Sequence, residues 1–134
     1  LTLMGYRSDL VLVVKTEHTS LFEKVCKQVA KSKSAVFDTP FNECAETREE
    51  DDCTAYLWVS VKAYDFQEIM DKFKTELRKV IPEGDSPFRY FYSMEVGENY
   101  EDITTDGLLD GPFDVYLSRS IMFNGEFLSE VCDG

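Results

Sequence analysis

The hydrophobic and polar positions of this chain change their spacing several times, and each change predicts a different element. Residues 9–16 form an apolar run rich in β-branched side chains, which predicts a central strand buried on both faces. From Ser20 onward, apolar residues recur three and four positions apart, so we expect a helix with one apolar face. Glu23 follows Ser20 at the spacing of a capping box, which indicates where this helix starts.

A second helical pattern begins at Asp65, with Glu68 in the matching capping position. Cations occupy its last turn, and Pro82 stops it because proline cannot continue the hydrogen-bond ladder. One apolar stripe follows its whole length, and its members are Phe66, Ile69, Met70, Phe73, Leu77 and Val80.

The segment between the two helices is typical of a pair of strands. Residues 35–37 begin one strand, and Pro40 places it at a sheet edge because proline has no N–H to donate. Residues 43–52 contain six acids and one arginine, which predicts an exposed turn. Residues 53–61 alternate regularly and predict the third strand.

The third predicted strand has an unusual second side. Ala55, Leu57 and Val59 share one side, whereas Tyr56 and Trp58 share the other. Because both sides are apolar, the side with the two aromatic residues is either covered or an aromatic contact face for another molecule.

The C-terminal part combines two strand patterns with an acidic tract. Residues 88–96 alternate and predict a fourth strand, and residues 113–121 predict a fifth that pairs with it. The tract between them, residues 97–112, contains carboxylates and no basic residue, and is longer than most hairpin loops. Residues 122–134 carry spaced apolar side chains and are expected to dock as a turn or short helix.

This order of elements predicts an α+β fold of the ferredoxin-like, split βαβ kind. We expect an antiparallel sheet with two helices on one face and an extra C-terminal strand. Residues 4–134 are expected to form a single domain. Residues 1–3 precede Met4, and we interpret them as an expression remnant or an upstream start.

The charge is strongly asymmetric. The chain has a formal net charge of −12, and residues 81–134 hold 12 acids against only Arg89 and Arg119. This excess argues against direct binding to nucleic acid or to an anionic membrane, since both require clustered cations. Neither a signal peptide nor an apolar run long enough to span a bilayer is recognisable, so we expect a cytoplasmic protein.

The acidic tract is the main candidate binding surface. Its site residues are Glu98, Glu101, Asp102, Asp106 and Asp110. Their spacing does not match the calcium-binding loop, so we predict protein binding and no metal site.

Other chemistry finds little support in the sequence. His18 is the only histidine and no nucleophile motif accompanies it, so we predict no catalytic residues, no cofactor and no enzyme. Cys44 and Cys53 flank a predicted hairpin and could meet across it, but without an export signal reduced thiols are the default.

Three short segments resemble known proteins. Residues 4–9 (MGYRSD), 96–103 (VGENYEDI) and 115–121 (VYLSRSI) are similar to segments of a group of small bacteriophage proteins of unassigned role. With the apolar strand that follows residues 4–9, this resemblance covers about a quarter of the chain. It implies a phage or prophage origin and brings no catalytic residues with it.

Three functional hypotheses remain open at this point. The first is a phage-encoded accessory protein whose acidic surface binds a basic host protein in the bacterial cytoplasm. Its sharper form is an inhibitor that mimics nucleic acid and blocks a nucleic-acid-binding host protein. The second is a small-molecule or metal-dependent enzyme that uses the carboxylates of residues 98–110. The third is a structural protein that forms a homodimer through Tyr56, Trp58 and the edge marked by Pro40.

Overall fold

A computed structural model describes residues 8–33, 46–61, 66–97, 102–113, 115, 118–123 and 126–132. The fold is α+β, with a five-stranded antiparallel sheet, two helices and a separate two-stranded sheet. The strands are β1 (Ser8–Lys15), β2 (Glu46–Glu50), β3 (Cys53–Val61), β4 (Phe91–Val96), β5 (Ile103–Gly107), β6 (Ser118–Phe123) and β7 (Glu126–Cys132). The helices are α1 (Thr19–Lys33) and α2 (Phe66–Val80), and 3-10 turns span Thr16–His18 and Pro87–Tyr90.

The large sheet has the strand order β2-β3-β1-β4-β5, and all neighbours in it are antiparallel. β1 lies at the centre, as its continuous apolar run predicts. The order across five strands differs from that of a four-stranded ferredoxin-like sheet, because β5 extends the sheet beyond β4. The α+β class and the two helices are confirmed.

The core lies between the helices and one face of the sheet. Alternate residues of β1, among them Leu12 and Val14, meet Phe22 of α1 and Phe73 of α2, and all four are fully buried. The predicted stripe of α2 is buried from Phe66 to Leu77, whereas Val80 is exposed. Both helices therefore cover the same side of the sheet, which we call the helix face.

The opposite side, which we call the open face, is partly covered by the chain that follows β5. Gly111 lies beside Val13 and Cys53, since a side-chain carbon placed on it would be 3.5 Å from an atom of each. Farther along, Phe113 lines a cleft of about 280 Å³ together with residues of β1, β2 and β3. Residues 108–113 and Val115 thus cross the open face and do not extend the sheet.

Several predicted elements differ from those observed. The acidic run 43–52 was predicted to be a turn, but Glu46–Glu50 is the edge strand β2. The partner of β4 is Ile103–Gly107 and not residues 113–121, so part of the predicted acidic connection is itself a strand. Near the C-terminus, β6 and β7 pair as antiparallel strands, where a docked turn or short helix was predicted. The strand start at residues 35–37 and Pro40 lie outside the described residues.

β4 also begins later than predicted, because Pro87–Tyr90 forms a 3-10 turn capped by the Ser86 hydroxyl, which accepts from the Phe88 N–H. Within the described part of the chain, no helix is both long and apolar enough to cross a membrane.

Candidate functional site

The described residues of the predicted acidic surface do not form one patch. Asp102 precedes β5 and Asp110 follows it, so the strand separates them by roughly 16 Å at about 3.3 Å per residue. Both side chains are exposed. Glu98 and Glu101 lie outside the described residues. The described carboxylates of this tract are therefore spread along an edge of the sheet.

Asp106 has a structural partner. Its carboxylate accepts a hydrogen bond from the Lys74 ammonium of α2 at 2.8 Å. Only 24% of the Asp106 side chain and 16% of the Lys74 side chain are exposed. Asp106 therefore ties β5 to the helical layer, and its charge is already compensated within the molecule.

The aromatic pair of β3 lies in the core. Tyr56 is 2% exposed and Trp58 is 0% exposed, and their rings stack with centroids 5.7 Å apart. Tyr56 also contacts the ring of Phe22 in α1. The interpretation of Tyr56 and Trp58 as an aromatic contact face is wrong, because the helices cover this side of the sheet.

The structure assembles a different acidic surface, at the end of the sheet where β2 turns into β3. The Thr16 N–H donates to the Asp52 carbonyl at 2.8 Å, which places Glu17 beside the turn. Gly111 rests against Cys53, which places Asp110 at the same end. We call this surface the acidic end; its carboxylates are all exposed and belong to Glu17, Glu50, Asp51, Asp52 and Asp110.

The turn at the acidic end has a defined backbone geometry. Asp51 and Asp52 have φ angles of 48° and 65°, which correspond to a two-residue type I′ hairpin turn. Aspartate tolerates this left-handed region better than most residues do. Below the turn, the hydroxyls of Thr16 and Thr54 share a hydrogen bond of 2.7 Å. The two carboxylates are therefore presented by a rigid hairpin and not by a loose loop.

Further titratable groups border the acidic end. His18 lies 3.4 Å from the Glu17 carboxylate and packs edge-on against the Tyr90 ring. The Tyr90 hydroxyl donates to Asp85 at 2.7 Å. This hydrogen bond, with smaller effects of burial and of the Asp85 and Glu17 charges, raises the pKa of Tyr90. The negative field therefore continues past the turn toward the end of α2.

The sequence contained a signal for this surface. The run 43–52 is the densest group of acids in the N-terminal half, and its Asp-Asp pair stands between two strand patterns. Paired turn-forming residues between strands are the usual mark of a short hairpin. What the sequence does not contain is the proximity of Glu17 and Asp110, which depends on the packing of distant segments.

The helical layer has the opposite charge balance. α1 contains four lysines and one glutamate, so it is net +3, and α2 contains four cations and three acids, so it is net +1. Since the whole chain is −12, all residues outside the two helices sum to −16. Lys24, Lys27 and Lys31 are exposed along the outer side of α1. The helical layer and the rest of the chain therefore differ in the sign of their net charge.

Metal and thiol chemistry have little geometric support in the described part of the chain. None of its His, Cys, Asp and Glu side chains gather in threes as a metal ion would require. Cys26 and Cys53 are buried free thiols, and Cys44 lies outside the described residues. Burial, with a smaller effect of Glu23, raises the pKa of Cys26 from 9.0 to about 12. A thiol held protonated in this way is a poor nucleophile.

No protein-family model matches the chain, and no curated protein or solved structure matches it either.

Proposed function

We propose that this chain is a binding protein that engages a basic protein partner through its acidic end. The observation that carries the proposal is the exposure of Asp51 and Asp52 on a rigid hairpin turn, with Glu17, Glu50 and Asp110 beside them. A backbone held in this way needs little ordering on binding, and such preorganisation favours affinity. Two cations border the turn: exposed Arg48, which pairs with Glu46, and half-buried Lys15, which lies opposite Cys53.

The polarity of the molecule supports the same proposal. An oriented charge distribution steers a complementary partner during diffusion and raises the association rate. With a helical layer of +4 and exposed carboxylates around the β2–β3 turn, a basic partner is attracted toward the acidic end. A partner that met the lysines of α1 first would be repelled.

The finer identity that we propose is a phage-encoded accessory protein acting in a bacterial host. The resemblance of residues 4–9, 96–103 and 115–121 to small bacteriophage proteins supports the origin. In the sharper version, the carboxylates imitate nucleic-acid phosphates and inhibit a nucleic-acid-binding host protein. For the fold we propose a split βαβ unit formed by β1, α1, β2, β3, α2 and β4 and extended by β5, since α1 and α2 each cover the helix face.

The test compares two double variants that each remove two negative charges, one variant at the turn and the other away from it. Asp51→Asn/Asp52→Asn neutralises the turn, and asparagine keeps it because it also adopts positive φ. Glu23→Gln/Glu83→Gln removes two charges from α1 and from the loop after α2. Each immobilised protein is exposed to bacterial lysate, and captured proteins are eluted with increasing salt.

We expect a basic protein to be captured by the wild type and by the control variant, but at least tenfold less by the turn variant. Elution should occur at moderate salt, because the screening length falls from about 10 Å at 0.1 M to about 3 Å at 1 M. Single-stranded or duplex DNA should displace the captured protein if the carboxylates imitate phosphates. Equal capture by both variants would contradict the proposal.

A further inference from the structure

The two outer edges of the large sheet differ in how they are protected. β2 carries four charged side chains in five residues, Glu46, Arg48, Glu49 and Glu50, and all five residues are exposed. Charged residues on an edge strand are a common protection against pairing with another chain. β5 reads Ile-Thr-Thr-Asp-Gly, and its one charge, on Asp106, is compensated by Lys74. The β5 edge therefore lacks the protection that β2 has.

The hydrogen-bond pattern shows which backbone groups of β5 face outward. The Gly97 N–H donates to the Asp102 carbonyl at 2.9 Å, and Glu95 and Ser93 are paired with Thr104 and Asp106. In an antiparallel ladder hydrogen-bonded residues alternate, so Thr104 and Asp106 bond to β4. It follows that the N–H and C=O groups of the other three residues, Ile103, Thr105 and Gly107, point away from the sheet.

No described strand lies on the outer side of β5, which is the last strand in the sheet order. Ile103 is 42% exposed, and both threonines are exposed as well. β-branched residues of this kind favour pairing in an extended ladder. The edge is thus a preformed template for one more strand.

We propose that a second copy of this chain pairs with this edge, β5 against β5, about a two-fold axis. In the pairing we infer, Thr105 lies opposite Thr105 of the second copy, so that the two sheets join into one. All three outward-facing residues of each copy then exchange hydrogen bonds, giving about six bonds across the interface.

The positions of the carboxylates select this register. With Thr105 on the axis, Asp106 lies opposite Thr104 and Asp102 lies opposite Leu108. If Thr104 lay on the axis, Asp102 of one copy would face Asp106 of the other. If Asp106 lay on the axis, it would face Asp106 of the second copy. Like charges directly opposite each other in a ladder are destabilising. The inferred register is the one that uses every outward-facing group without such a clash.

Side-chain sizes fit the same register. Ile103 lies opposite Gly107 of the second copy, and both positions belong to the open face of the sheet. Because Gly107 has no side chain, it leaves space for Ile103 to cross the junction. Two such contacts, one on each side of the axis, cover apolar surface that is exposed in the monomer.

The strength and salt dependence of the dimer follow from these features. An interface of one short strand is far smaller than the roughly 1,200 Å² or more of stable complexes, so the dimer should dissociate on dilution. Each copy has a net charge of −12, so the two copies repel each other. Thr104, Thr105 and Gly107 of the paired edge are uncharged and add no attraction that salt could screen. Salt should therefore strengthen this association, opposite to its effect on binding a basic partner.

The first experiment is sedimentation of the purified protein over a range of concentrations, at low salt and at about 0.5 M salt, where charges are well screened. Thr105→Pro removes an outward N–H, and Glu49→Pro does the same on β2, since alternation places Glu49 outward there too. We expect reversible dimers, favoured by salt, for the wild type and Glu49→Pro. Thr105→Pro should raise the dissociation constant at least tenfold.

A second experiment needs no proline in the strand. Thr105→Cys places two thiols opposite each other across the axis, within the usual separation for a disulfide, whereas Ile103→Cys faces Gly107. Mild oxidation should crosslink Thr105→Cys at least tenfold faster than Ile103→Cys. Both variants keep the native cysteines, so crosslinking through those thiols is the same in each. A wild type that remains monomeric at high concentration and high salt would overturn the proposal. So would equal crosslinking of the two variants, or a dimer lost in Glu49→Pro but kept in Thr105→Pro.

Discussion

The Lys74 ammonium donates to the Asp106 carboxylate at 2.8 Å and joins α2 to the edge strand β5. The same nitrogen lies 5.2 Å from the ring centroid of Phe88 and 5.9 Å from that of Phe91. A partly buried charge with a carboxylate partner and aromatic neighbours contributes more than an exposed ion pair does. This contact is the one described side-chain ion pair that holds β5 to the helices.

Replacing this lysine should therefore lower the free energy of unfolding. Lys74→Met keeps the apolar stem and leaves Asp106 without its partner, so we expect a loss of about 2 kcal/mol. Lys79→Met is the matched control, because Lys79 pairs with Glu76 on the exposed surface of the same helix. An exposed pair of this kind contributes little, because water and salt screen it. Urea unfolding of both variants measures the difference, and equal losses would contradict the structural role of Lys74.

Gly107 ends β5 in a conformation that other residues rarely adopt. Its φ is +84°, and a side-chain carbon there would overlap the carbonyl oxygen of Phe91. Gly84 has a similar φ of +92° but has nothing within 4 Å of that position. Gly84→Ala should cost only the backbone strain of about 1–2 kcal/mol, whereas Gly107→Ala should cost clearly more. Thermal unfolding of the two variants separates the clash from the strain, and the prediction fails if their melting temperatures fall equally.

Trp58 is a core residue, so its truncation should unfold the protein and not merely disrupt a surface. The side chain is fully buried and stacked on Tyr56. Trp58→Ala should lower the free energy of unfolding by about 3–5 kcal/mol. The adjacent Val59 is 54% exposed, so Val59→Ala should change the free energy of unfolding by about 0.5 kcal/mol or less. Denaturant titration followed by circular dichroism tests both changes, and a mild effect of Trp58→Ala would show that the aromatic pair is not part of the core.

The elements that could be predicted from sequence are those with a strong apolar period. In α2, the buried residues Phe66, Ile69, Met70, Phe73 and Leu77 are the predicted stripe without Val80. Burial of one helix face against a core fixes this spacing, so the sequence carries it directly. β1 and β3 were found for the same reason.

The two edge strands could not be predicted in this way. β2 reads Glu-Thr-Arg-Glu-Glu and is exposed throughout, so no alternation marks it. β5 is short and polar, and it is a strand because β4 offers an unpaired edge beside it. Strand propensity depends heavily on such neighbours. Their carboxylates were therefore interpreted as turn or loop residues.

The side of β3 that faces the helices was also undecided by sequence. Tyr56 and Trp58 alternate with Ala55 and Leu57, and both sets are apolar. The two sets differ only in volume, because the aromatic side chains are larger. The structure buries the aromatic pair against the helices. The acidic end was missed for a related reason, since Glu17 and Asp110 reach the turn through long-range packing.

Divalent cations should leave the stability of the protein unchanged. Asp106 is occupied by Lys74, and Asp102 and Asp110 lie at opposite ends of β5. A ligand at 100 times its dissociation constant would add about 2.7 kcal/mol to the native state and raise the melting temperature by several degrees. Thermal scans with millimolar calcium, magnesium or manganese test this. A saturable rise that is lost in Asp102→Asn/Asp110→Asn, and kept in Glu23→Gln/Glu83→Gln, would support the metal-dependent alternative instead.

Alkaline pH should destabilise the protein through the buried thiol of Cys26. Burial raises the pKa of Cys26 from 9.0 to about 12 in the folded state. Below pH 9 both states hold the proton, and the buried thiol contributes its full stability there. Above it, the unfolded chain loses the proton while the folded chain keeps it, so stability falls as pH rises toward about 12.

The Cys26→Ala variant isolates this effect from the titration of other groups. The substitution leaves a small cavity and lowers stability at every pH, but it removes the thiol that titrates. We therefore expect the wild type to lose more stability than Cys26→Ala between pH about 8 and about 10.5, because only the wild type has this proton to release on unfolding. Urea unfolding at both pH values gives the two differences. An equal loss in both proteins would show that the buried thiol does not set the alkaline limit.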